Sequence, residues 1–76
     1  MNLLMAPKEK VLRIIKVREK RSTDKQEKFL SNLGFVEGAN ISVITENRGN
    51  LIVNIKDSRV ALGKDLALRI IVEEID

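Results

Sequence analysis

The side chains that most often do chemistry near neutral pH are missing from this sequence. It contains no His and no Cys. That removes the commonest metal ligand and general base, together with thiolate nucleophiles, thiolate metal sites and disulfides. No Ser, Thr or Lys has an evident base partner, and no Gly-rich run reads as a phosphate loop. Glu73, Glu74 and Asp76 are the one group of hard oxygen ligands worth considering. Adjacent residues of a strand point to opposite faces, so these carboxylates are not expected to converge on a cation. No catalytic, cofactor-binding or metal-ligating residue is assigned, and the chain reads as a non-enzyme.

What remains is charge. The net charge is +3 and the isoelectric point is near 9.5. Basic residues gather early, at Lys8, Lys10, Arg13, Lys16, Arg18, Lys20, Arg21, Lys25 and Lys28, and acidic residues gather at the end. Such an asymmetry suits a nucleic acid or an acidic protein surface, although a solvated face is the ordinary role of surface charge. Proteins that bind single strands stack bases on aromatic rings. Phe29 and Phe35 are the only aromatic residues here, which argues against nucleic acid.

These charges must be carried by one small domain, since 76 residues leave no room for a second core. Residues 1–10 read as a loose or capping N-terminal segment. Val11 to Val17 is β-branched and short, and predicts a strand buried on much of both faces. Thr23 and Gln26 form a capping box that opens an amphipathic helix of about ten residues, Asp24 to Leu33, near 15 Å long. Phe29, Leu30 and Leu33 share its apolar face, and Gly34 follows as a left-handed C-cap. The rest reads as β. Asn40 to Glu46 places Ile41, Val43 and Thr45 on one face. Asn47-Arg48-Gly49 is a hairpin turn with Gly49 at a position needing positive φ. Asn50 to Lys56 points Leu51, Val53 and Ile55 inward. A tight turn at Asp57-Ser58 leads to a short strand, Arg59 to Leu62. A helical turn over Gly63 to Ala67 precedes a last strand, Leu68 to Ile75, with Leu68, Ile70 and Val72 on one face. The expected core is Val11, Ile15, Phe29, Leu30, Leu33, Ile41, Val43, Val53, Ile55, Val60, Leu62, Ile70 and Val72. Five short strands and one helix avoid open edges most simply as a small closed barrel.

Three segments, in order, carry a resemblance to a known family: Phe29-Leu30-Ser31-Asn32-Leu33-Gly34-Phe35-Val36-Glu37-Gly38, the hairpin Gly49 to Leu62, and Leu66-Ala67-Leu68-Arg69-Ile70-Ile71-Val72. Together with Leu3 to Val17, they make nearly the whole chain similar to FeoA, ferrous iron transport protein A. Members often have Gly near Glu9 and near Asp57, and Pro near Glu37 or Asn50; other turn-compatible residues stand at those places here. The resemblance implies a mainly β (α+β) fold, an SH3-like small β-barrel of about five strands with one inserted amphipathic helix. It also implies a non-enzymatic accessory of ferrous iron uptake, docking on the cytosolic domain of a FeoB-like, GTP-binding membrane transporter. The expected location is cytoplasmic, without membrane insertion, reaching the inner face of the membrane only through that partner. A homo-oligomer is left open. The family is also associated with transition metal ion binding, to which this chain brings neither His nor Cys. Two other readings stay open: a small-barrel module of a metal-dependent transcriptional regulator, and an RNA-associated small barrel. The candidate partner-contact residues are Lys25, Lys28, Arg48 and Arg59, at the outer face of the helix, the hairpin tip and the start of the fourth strand.

Overall fold

The computed structural model describes residues 1–18 and 30–75. The capping box, most of the expected helix, Phe29, Lys25, Lys28 and Asp76 lie outside the described residues. A 3-10 turn over Leu3–Met5 opens the chain. Five strands follow: β1 (Leu12–Val17), β2 (Asn40–Asn47), β3 (Asn50–Ile55), β4 (Ser58–Leu62) and β5 (Ile70–Glu74), with a short helix α1 (Lys64–Arg69) between the last two. All pairings are antiparallel and the sheet order is β4-β3-β2-β1-β5. The sheet curls around one apolar core, and α1 links its two edge strands, as in an SH3-like barrel. Leu12, Ile14, Ile41, Val43, Leu51, Val53, Ile55, Leu62, Ile70 and Val72 point into that core.

Two bulges decide which residues face it. In β1, Ile14 pairs with Val72 but Lys16 pairs with Ile71, so Ile15 is the extra residue. Leu12 and Ile14 are buried by regular alternation before the bulge, and Val17 returns to the core side beyond it. Val11 and Ile15, expected in the core, are instead 53% and 45% exposed. The strand is buried on one face, not on both, because its outer face meets solvent. In β2, a second shift between Val43 and Thr45 turns Thr45 outward beside Ile52. A bulge inserts one residue and reverses the alternation beyond it, which a strict period of two misses.

Other expectations are corrected by the same packing. Leu33 and Val60 are only partly buried against the core. Leu68 lies in α1, not in the last strand, and is 44% exposed. The chain is held helical there so that Ala67, fully buried, and Arg69 turn inward. Leu51 is buried as its inward position in the alternation predicts, whereas Leu3, Leu12, Ile14, Phe35 and Ala67 join the core without being named for it.

The end of the inserted helix is well defined. Residues 30–32 are helical, and Gly34 has φ +99°. The Phe35 amide donates to the Leu30 carbonyl at 2.9 Å and the Gly34 amide to the Ser31 carbonyl at 3.0 Å. That is a Schellman motif, completed by burial of both Leu30 and Phe35. The N-terminal segment packs on the other side. Asn2 bridges Ile71, the Val72 amide donates to the Met1 carbonyl at 2.8 Å, and the Glu9 amide donates to the Val43 carbonyl at 2.8 Å. Leu3 is thereby pressed into the core.

Two chain reversals are built without glycine at every left-handed position. Arg48 and Gly49 have φ 53° and 83°, and Lys56 and Asp57 have φ 47° and 64°. Both are two-residue turns with positive φ twice, the type I′ geometry that matches the twist of paired strands. The second turn is Lys56-Asp57, one residue earlier than expected, and Ser58 already belongs to β4.

Three substitutions test this description. Ile14→Ala is expected to cost roughly 2–5 kcal/mol of unfolding free energy, whereas Ile15→Ala costs about 0.5 kcal/mol, measured by chemical denaturation. Equal losses would show that the β1 register is wrong. Asp57→Gly removes a left-handed cost of about 1–2 kcal/mol and adds unfolded-chain entropy of about 0.5–1 kcal/mol. The variant should therefore be more stable by roughly 0.5–1 kcal/mol, seen as a raised denaturation midpoint.

Candidate protein-interaction surface

Strand register places the surface side chains in rows. On the outer face, Arg13 lies between Glu73 of β5 and Asn40 of β2. In the next row Ser42 of β2 faces Asn54 of β3, which faces Arg59 of β4. Arg59 and Asn54 are exposed and Ser42 is half-buried. Beside these rows the surface sinks into an open depression of about 240 Å³, lined among others by Val11, Asn40, Ser42, Asn54, Lys56 and Asp57. Its donors and acceptors are two amides and a hydroxyl, and its charges are one ammonium and one carboxylate.

Of the four expected contact residues, Lys25 and Lys28 lie outside the described residues. Arg48 is at the exposed tip of the β2–β3 hairpin, held by its left-handed backbone. Arg59 faces Asn54, near the opposite end of β3. Asn50 and Asn54 are four residues apart, about 13 Å along a strand, so the fold does not bring the two arginines into one patch. Arg59 and its neighbour Asp57 are not among the ion pairs of the described residues. Those pairs are Lys10 Nζ to Glu74 Oε1 at 3.4 Å and Arg13 Nη1 to Glu73 Oε2 at 3.7 Å. Both are about half exposed, and such pairs contribute about 0–1 kcal/mol each.

These pairs also occupy the two strand carboxylates considered for a cation. Glu73 opposes Arg13 on the outer face, whereas Glu74 opposes Leu12, whose side chain points inward. Among the described residues no group of three or more Asp, Glu, His or Cys is placed to hold a metal ion. The donor set does not fit a tetrahedral nitrogen- and sulfur-ligated site. No helix among the described residues is long and apolar enough to cross a membrane.

One polar residue that sequence reasoning missed is Arg69. It is only 8% exposed, its Nε donates to the Arg18 carbonyl at 2.7 Å, and the Arg18 amide donates to the Arg69 carbonyl at 2.7 Å. This two-way link ties the end of β1 to α1. Arg69 falls within the segment Leu66 to Val72, where nothing in the periodicity marks it as buried.

Comparison with known proteins agrees with the architecture. The FeoA of Stenotrophomonas maltophilia, crystallised with zinc and described as an SH3 domain protein, is 25% identical, with a TM-score of 0.84 over 96% of this chain and 89% of that one. An iron uptake regulatory protein, also a FeoA, is 24% identical with a TM-score of 0.81, covering 99% of this chain and 96% of that one. The manganese regulator SloR shares the fold at 12% identity and a TM-score of 0.81, over 99% of this chain but 34% of its own. Comparison with curated protein sequences gives no match. The FeoA domain family model matches residues 1–74, and the chain belongs to that family, which is associated with ferrous iron transport.

Proposed function

We propose that this protein is a cytosolic accessory of ferrous iron uptake that docks on the cytosolic domain of a FeoB-type, GTP-binding transporter. The observation that carries this reading is the family match, which runs over residues 1–74 and so takes in every strand. A role as a ferrous iron transport activating factor has been suggested for the Stenotrophomonas maltophilia relative, and the reading extends that role here. The mechanism is recognition. A rigid barrel holds charged side chains on turns and outer strand faces, where loops and tips commonly carry binding. Lys25, Lys28, Arg48 and Arg59 are proposed to meet acidic groups of the partner. Charges of this kind speed encounter and set orientation.

A second reading is favoured by the likeness to SloR: a small-barrel module acting within a metal-dependent regulator. Genomic neighbourhood discriminates the two, since a FeoB-like reading frame beside this one supports the transporter reading. The RNA-associated reading rests on the isoelectric point alone and is not favoured.

Changing Lys25, Lys28, Arg48 and Arg59 together to Glu should leave a cooperative thermal transition, since Arg48 and Arg59 are exposed and exposed substitutions stay within about 0.5 kcal/mol each. Association with the transporter's cytosolic domain should slow clearly at low ionic strength, and the difference should shrink as salt is added. Wild-type association rates at low salt would sink the role of these four residues. Calorimetric titration with Fe²⁺ or Zn²⁺ should show binding no tighter than about millimolar, given the hard, non-converging carboxylates described above. A stoichiometric micromolar site would refute that.

A further inference from the structure

The β3–β4 turn keeps two large charged side chains where glycine would cost less. Lys56 and Asp57 are both left-handed, with φ 47° and 64°. A left-handed backbone at a residue with a side chain carries a steric cost that glycine avoids. Both side chains line the outer depression. The Lys56 stem passes over Gly34, where an added Cβ would lie 3.0 Å from Lys56 Cδ.

The surrounding chemistry is specific. Asn40 and Asn54 offer amides that both donate and accept, as an extended backbone requires. Val11, 53% exposed at the border, offers an apolar contact. Arg59 stands directly across from Asn54. Among the described residues, Lys56 and Arg59 enter neither of the two ion pairs, so two cations face outward here against the single carboxylate of Asp57.

We propose that this outer face of β1 to β4 docks an acidic, extended peptide segment of a protein partner. Lys56 and Arg59 hold its carboxylate, and the Asn40 and Asn54 amides pair with its backbone. The inference deepens the docking reading above and rests on it.

The test is an NMR titration of the full isotope-labelled chain with a short peptide of alternating Glu and Val, with its Lys-Val counterpart as control. The expected result is perturbation of the Asn40, Ser42, Asn54 and Asp57 amides by the acidic peptide alone. Asn54→Asp, isosteric and exposed, should weaken that binding several-fold at low salt, whereas Lys64→Glu on α1 should not. Perturbations centred elsewhere, or equal with both peptides, would overturn the proposal. The transporter's cytosolic domain serves as a second titrant. If it binds while these signals stay still, the surface is wrong and docking survives. If the acidic peptide binds here and the domain does not, the docking reading falls and the peptide site stands.

Discussion

The barrel depends on how β1 is shared between its neighbours. β2, β3 and β4 form a continuous meander with long pairings. β1 pairs with that meander at Leu12↔Ile41 and Arg13↔Asn40, with Ile14 bonded further to Gly38 and Ala39 just ahead of β2, yet pairs with β5 along its length from Leu12 to Val17. It is the strand that joins the meander to the last strand. To serve both, it must bend, and the extra residue at Ile15 supplies the bend. The inward positions on either side of the bulge then all find the same core. Beyond the short β1–β2 contact, the free edge of β2 is met by the N-terminal segment, through the Lys8 bridge to Val43. The outer edge of β5 is met by Asn2. The first ten residues are thus the lining of the sheet's gaps, and Leu3 fills the core beneath them.

That arrangement also sets what a partner can read. Because the inner face is apolar and closed, recognition is left to the outer rows and the turn tips. The rows are polar and short, with cations and amides spread over four strands. Their geometry is fixed by backbone pairing, so the ordering entropy that a loop would lose on binding is largely spent in folding. Arg48 and Arg59 belong to opposite ends of β3 and address different approach directions. A partner touching both must span the hairpin, whereas one seated at the depression needs only the Arg59 end.

The sequence made much of this legible. Alternation located β2, β3 and β4 almost to the residue, and Gly34 and Gly49 marked their turns because a left-handed backbone there favours glycine. The barrel followed from counting strands and from the family resemblance. Thr45 is misplaced because a bulge changes the phase of a strand, and nothing in residue type announces it. Val11 and Ile15 are misplaced for a different reason: β1 is buried on the face of Leu12 and Ile14 alone, and a β-branched run does not say which face that is. Leu68 was assigned to a strand because its alternation with Ile70 and Val72 is the same whether the preceding turn is helical or extended. Leu3 and Ala67 were missed because their burial depends on tertiary closure. At the candidate site, Arg59 and Arg48 could be named from their turns, but the row formed by Ser42, Asn54 and Arg59 exists only once register is known.

The left-handed positions show how the chain divides labour between glycine and side chains. Among the described residues, the four non-glycine residues with positive φ, Glu9, Arg48, Lys56 and Asp57, are all charged. None is branched at Cβ in the manner of Val, Ile or Thr, so the steric cost is kept near its minimum for a residue that has a side chain. Each sits at an exposed reversal, where charge keeps the tip solvated and discourages edge pairing with other chains. Gly34 is the converse case. It needs the left-handed backbone for the helix cap, and it also lies against the Lys56 stem, so a side chain would have to displace that stem. The helix end and the β3–β4 turn are therefore coupled: the absence of a side chain at Gly34 is what lets Lys56 lie where it does. A side chain at Gly34 would disturb the rim of the outer depression as well as the cap, which makes this glycine part of the surface it never touches.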